Sequence, residues 1–177
     1  PAFFEYITRC QSFLQMGQPD NDFLVYLPIY DLWDELPGRL VSFDIHKMDR
    51  YAPKFIKTIQ TIIAGGYDVD YISDAFIKTT RCADNQLVTS GGTHYKALIV
   101  PAARLMPAAT LKKLVELARQ GATVIFVEQY PEDTPGYNRL KQNRAAFINI
   151  TGQLPDVDSF THTQTFILGK GRIIVGS

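Results

Sequence analysis

The chain has 177 residues, 46% hydrophobic and 20% charged, with 18 Lys plus Arg against 18 Asp plus Glu. That size and composition fit one globular domain with a full core. Zero net charge and the lack of a basic run argue against nucleic acid and anionic membrane surfaces as partners, and no apolar stretch approaches the roughly 20 residues that span a bilayer.

Residues 3–16 place Phe3, Ile7, Cys10, Phe13 and Leu14 at helical spacing, with Gly17 as the stop. Cys10 reads as a small core residue on that face. "GQPDND" (17–22) is a turn, and "FLVYLPI" (23–29) is an apolar run of the kind buried on both faces of a parallel sheet. Residues 30–46, "YDLWDELPGRLVSFDIH", read as a loop. "DRYAPKFIKTIQTIIAGG" reads as a helix with Pro53 in its first turn and Phe55, Ile56, Ile59, Ile62 and Ile63 inward. "YDVDYIS" (67–73) is a second strand, followed by a short helix and an excursion with a small strand at 86–89. In "TSGGTHY" a tight turn puts Gly91 and Gly92 at positive φ. "KALIVPA" (96–102) and "TVIFVEQ" (123–129) are the third and fourth strands, on either side of the helix "PAATLKKLVELARQGA". "GYNRLKQNRAAFINITG" is a further helix, and "TQTFILGKGRIIVGS" makes two strands joined around 169–171.

Strand and helix alternate, which predicts an α/β fold: a three-layer sandwich of a mostly parallel sheet with helices on both faces and a C-terminal hairpin. The order of elements resembles flavodoxin-like and class I glutamine amidotransferase-like folds. Ligands in such sheets sit beyond the carboxyl ends of the strands. That rule selects Asp31, Trp33, Asp34 and Glu35 after the first strand, Asp74 after the second and Glu128 after the fourth as candidates for contact with substrate or another domain. The three loop acids also suit solvated positions, with Asp34 and Glu35 hydrogen-bonding local backbone around Pro37–Gly38. Trp33, the one tryptophan, is a sugar-stacking platform or interface anchor if exposed and core if buried.

Several chemistries lack their parts. The loop after the first strand holds one glycine and several acids instead of GxGxxG, so it repels phosphate, and no GxxxxGK[ST] occurs. Nucleotide and flavin cofactors are not expected. Two cysteines and three scattered histidines form no zinc spacing, and no DxDxDG run supports calcium. The turn after the fourth strand, Glu128–Gln129–Tyr130, has no cysteine, serine or flanking glycine, so a strained nucleophile elbow is not expected. A glycosidase needs two carboxyls about 5–9.5 Å apart across the sugar, and the sequence supplies no sign of a deep pocket around the loop acids.

Four phrases carry a resemblance. "YITRCQSFLQMGQPDNDFLVYLP", "GGYDVDYIS", "GGTHYKALIVPAARLMPAATLKKLVELARQGATVIFV" and "GKGRIIVG" occur in one order. Together they resemble the segment that follows the catalytic barrel in large multidomain α-L-rhamnosidase-type glycoside hydrolases and related bacterial β-galactosidases. The resemblance implies a glutamine-amidotransferase-like domain without amidotransferase activity. It places the catalytic carboxylates in the preceding barrel, so no residue here is expected to be catalytic. Residues 1–20 are then a connecting helix and 21–177 the α/β domain. The implied partners are the upstream barrel and carbohydrate, and the implied parent is an exported polysaccharide-degrading enzyme. The alternatives are a self-contained carbohydrate-binding module and a stand-alone flavodoxin-like or amidotransferase-like enzyme.

Overall fold

The computed structural model describes residues 2–17, 19–34, 48–157 and 162–176. Glu35 and the rest of the expected loop through 46 lie outside them. In chain order the described elements begin with α1 (Ala2–Leu14), β1 (Phe23–Tyr26), α2 (Ile29–Asp34), α3 (Met48–Tyr51), α4 (Pro53–Ala64), β2 (Val69–Ile72) and α5 (Asp74–Thr79). They continue with β3 (Arg81–Ala83), β4 (Gln86–Val88), β5 (His94–Tyr95), β6 (Ala97–Val100), α6 (Ala108–Gln120), β7 (Thr123–Val127), α7 (Leu140–Thr151), β8 (Gln164–Leu168) and β9 (Gly171–Gly176).

Among these residues the main sheet has six strands in the order β2-β1-β6-β7-β9-β8. All neighbours pair in parallel except β8, which runs antiparallel to β9 as the second arm of the terminal hairpin. This is the expected α/β sandwich. Val25 pairs with both Tyr71 and Ile99, which puts β1 at the centre of its half of the sheet. Burial on both faces explains why β6 is apolar throughout: all of Ala97–Val100 is buried.

Each face has its own core. One packs Leu24, Leu98, Val124 and Phe126 against Ile77, Leu111, Leu114, Leu117, Phe147 and Ile150 of α5, α6 and α7. The other packs Val25 and Ile99 against Leu32, Met48, Phe55 and Ile59 of α2, α3 and α4. A buried Leu or Phe of this kind contributes roughly 1.5–3 kcal/mol. α6 starts after Pro107 and stops at Gly121, whose φ of 133° no L-residue adopts without strain. Gly171 is required for space: a Cβ there would sit 2.3 Å from the Ala122 carbonyl oxygen and 2.4 Å from that of Ala118.

The structure corrects several expectations. The first strand ends at Tyr26, and Ile29 to Asp34, expected to be strand end and loop, form α2; Pro28 cannot donate to a ladder. The helix expected over 49–66 is broken at Ala52, with Pro53 opening α4. Ile63, expected inward, is 56% exposed. The excursion after α5 is a three-stranded antiparallel sheet, β3-β4-β5. Only Gly92 of the Gly91–Gly92 pair has positive φ. Most consequential, α1 buries none of its residues, so Cys10 is not a core residue; Phe3, Phe4, Phe13 and Leu14 are 67–81% exposed.

Candidate functional site

The carboxyl ends of β1 and β6 meet where the order of the parallel strands reverses, the place where α/β sheets hold ligands. α2 lies over this point because Pro28 ends the strand and Leu32 turns into the core, 8% exposed. Asp31, in the first turn of α2, accepts two backbone hydrogen bonds: Arg104 N–H donates to Oδ2 at 2.7 Å and Leu105 N–H to Oδ1 at 2.7 Å. Burial raises the Asp31 carboxyl above the usual range, and those two donors pull it back. A raised carboxyl suits a general acid, but both oxygens are already engaged.

Asp34 pairs with the Arg104 guanidinium. The aspartate, in turn, keeps Arg104 above its ordinary value, chiefly through the hydrogen bond. Trp33 is 48% exposed and meets Tyr30 edge to face, ring centres 5.5 Å apart. Both are held at the rim of the switch point, so the tryptophan is available as a platform or anchor.

Asp74 follows β2 and faces inward. The Tyr26 hydroxyl donates to its Oδ1 at 3.2 Å and the Thr110 hydroxyl donates to the same oxygen at 2.5 Å. Burial and this carboxylate push the Tyr26 phenol far above its ordinary value. The network ties β1, α5 and α6 together. Glu128 follows β7, and Lys54 Nζ of α4 donates to its Oε2 at 2.8 Å. Its φ is 65°, so the turn after β7 does carry the left-handed backbone that the missing glycines argued against. The ladder to β9 imposes it: Glu128 N–H donates to the Gly176 carbonyl at 3.0 Å and Gln129 N–H turns back to Val127 O at 2.8 Å.

Among the described residues Asp31, Trp33 and Asp34 share the rim of the switch point, and Asp74 lies near enough that its charge, like that of Asp31, acts on the Tyr26 phenol; Glu128 borders a groove of about 500 Å³ lined by α4, β6, β7 and β9. Sequence reasoning did not anticipate Lys54 or this groove, since neither leaves a motif. Among the described residues no group of three or more His, Cys, Asp or Glu could hold a metal ion, and no helix is long and apolar enough to cross a membrane.

Comparison with known proteins adds a family. A sequence model of a glycoside hydrolase family described as alpha-L-rhamnosidase matches residues 1–177. Among solved structures the chain is similar to a rhamnosidase from Novosphingobium sp. PP1Y, with 23% identity, 63% of this chain and 10% of that one covered, and a TM-score of 0.48. The chain thus spans about a tenth of the length of that enzyme. No curated protein matches it.

Proposed function

The chain belongs to the α-L-rhamnosidase family of glycoside hydrolases, and on that premise we propose that it is a non-catalytic α/β domain of such an enzyme, seated against the catalytic domain. One observation carries this reading: every described candidate acid is already committed within the chain. Asp31 is held by two backbone N–H groups, Asp34 by Arg104, Asp74 by Tyr26 and Thr110, and Glu128 by Lys54. A glycosidase pair needs one carboxyl ready to give a proton and another facing the sugar or a water. Carboxylates bound this way hold elements together instead.

The amphipathic α1 supports the docking part. It exposes Phe3, Phe4, Phe13, Leu14 and Met16, and clustered exposed apolar side chains mark interaction surfaces. On this reading residues 1–20 are the joining helix and the Trp33–Asp34–Arg104 rim is presented to the catalytic cleft. On this reading the scaffold is also of glutamine-amidotransferase type, which the positive φ of the turn after β7 supports, with a glutamate where a nucleophile would stand.

Hydrolysis of an aryl α-L-rhamnoside tests the proposal. The parent enzyme is expected to release the aryl alcohol and this chain to release none. Release by the chain, lost on Asp31→Asn or Glu128→Gln, would overturn it.

A further inference from the structure

We propose that the outer edge of β8 is a pairing surface that joins two copies of this chain, strand to strand and antiparallel, about a two-fold axis at Phe166. The inference goes beyond the docking of α1 and does not rest on it.

Among the described residues β8 is the last strand of the main sheet and pairs on one side only, with β9. A strand in that position offers backbone N–H and C=O groups to any strand that can reach it. Natural sheets guard such edges with a charge, a proline, a bulge or a covering element. The sequence of β8, "QTFIL", has no charged residue and no proline, and its five pairs with β9 run one to one without a bulge. Thr, Phe and Ile at its centre all favour extended backbone. The opposite edge of the sheet shows the contrast. There β2, "VDYI", holds Asp70 in mid-strand, where its carboxylate accepts the Tyr95 hydroxyl at 2.7 Å.

The side chains of β8 say which strand fits. Phe166 and Leu168 pack against the core, whereas Thr165 and Ile167 alternate with them and are exposed, Ile167 by 77%. Thr165 stands in register with Ile174, and Ile174 with Ile125, both half-buried. Antiparallel pairing about Phe166 sets Thr165 of each copy opposite Ile167 of the other and brings the two Ile167 side chains within diagonal reach. Each exposed isoleucine is then covered by a threonine methyl and by its own equivalent, and it extends the aliphatic row of Ile125 and Ile174.

This is why the occupant is a second copy. A two-fold contact needs one patch that fits itself, and a charge at 165 or 167 would face its own copy across the diagonal. β8 is neutral at both positions. Two six-stranded sheets join edge to edge, and whatever each domain is attached to comes as a pair. The contact is short, so the dimer forms with concentration and is not permanent.

Sedimentation equilibrium of the chain from micromolar to millimolar concentration tests this. The mass is expected to climb from that of one chain towards that of two. Ile167→Lys and Thr165→Lys, both at exposed positions, set like charges on the diagonal and should each raise the dissociation constant at least tenfold. Thr165→Lys combined with Ile167→Glu should restore the dimer, because each lysine then faces the other copy's glutamate; a purely structural role for either residue would give no such rescue. Hydrogen exchange should slow with concentration at the β8 amides and stay fast at α1. The mass of one chain throughout, slowing confined to α1, or a double variant no tighter than the single ones would each overturn the proposal. Fast α1 exchange beside a catalytic domain would instead overturn the docking reading and leave the β8 pairing standing.

Discussion

The Asp31 carboxylate accepts the backbone N–H of Arg104 at 2.7 Å across the point where the strand order reverses. Its second oxygen takes Leu105 N–H at the same distance. The loop after β6 therefore hangs on the helix after β1, and the crevice that α/β enzymes keep open for ligands is bridged by a structural clamp.

Removing the clamp should cost stability. Asp31→Ala leaves two N–H groups without their acceptor, and a loss of about 1–3 kcal/mol is expected in urea unfolding. Asp31→Asn keeps one acceptor oxygen and should lose about half as much. Equal stability of Asp31→Ala and wild type would show that water replaces the carboxylate.

The strain at Glu128 can be isolated from its ion pair with Lys54. Glu128→Ala and Glu128→Gly both delete the pair, but only glycine relaxes a φ of 65°. Glycine should be the more stable of the two by about 1 kcal/mol. If alanine matches glycine, the left-handed backbone is not present in solution.

Gly171 has no room for a methyl group. A Cβ at 2.3 Å from Ala122 O and 2.4 Å from Ala118 O must push the start of β9 away from the end of α6. Gly171→Ala should lower stability by about 1–3 kcal/mol, whereas Gly92→Ala, where a Cβ meets nothing within 4 Å, pays only the backbone term for φ 87°, about 1 kcal/mol.

Alkali should reveal Tyr95. Its phenol is pushed up to about 12, first by burial and then by its hydrogen bond to Asp70, at 2.7 Å. A raised folded value means that the fold favours the neutral phenol. That stability is fully present below the ordinary value near 10 and is lost as pH rises through about 12. The melting temperature should hold up to about pH 10 and fall beyond it. In Tyr95→Phe, itself less stable at neutral pH, that fall should be shallower. An unchanged alkaline slope in the variant would remove Tyr95 as its cause.

Much of the fold was legible because buried parallel strands have to be apolar runs: "FLVY", "ALIV" and "TVIFV" stand out from their flanks, and Pro107 and Gly121 bracket α6. What escaped is set by contacts remote in sequence. α2 forms because Asp31 takes backbone donors 73 and 74 residues away and Leu32 packs into the core with α3 and α4, so its six residues look like a loop. The small β3-β4-β5 sheet consists of strands of two or three residues, too short for any period. α1 reads correctly as a helix, but periodicity tells only that a face is apolar and not what covers it. The acids at the rim were found by position; that Arg104 and the 104–105 backbone hold them was not, because backbone donors carry no sequence signal.

The proposal that this domain docks and does not catalyse is tested most directly by hydrogen exchange of the α1 amides, in this chain alone and in a protein that carries it together with a rhamnosidase-family catalytic domain. In the chain, where α1 buries no residue, exchange should be fast. Beside the catalytic domain it should slow at least a hundredfold as Phe3, Phe4, Phe13 and Leu14 are covered. Equal, fast exchange in both would contradict the proposed docking, because the apolar helix would then have no partner there.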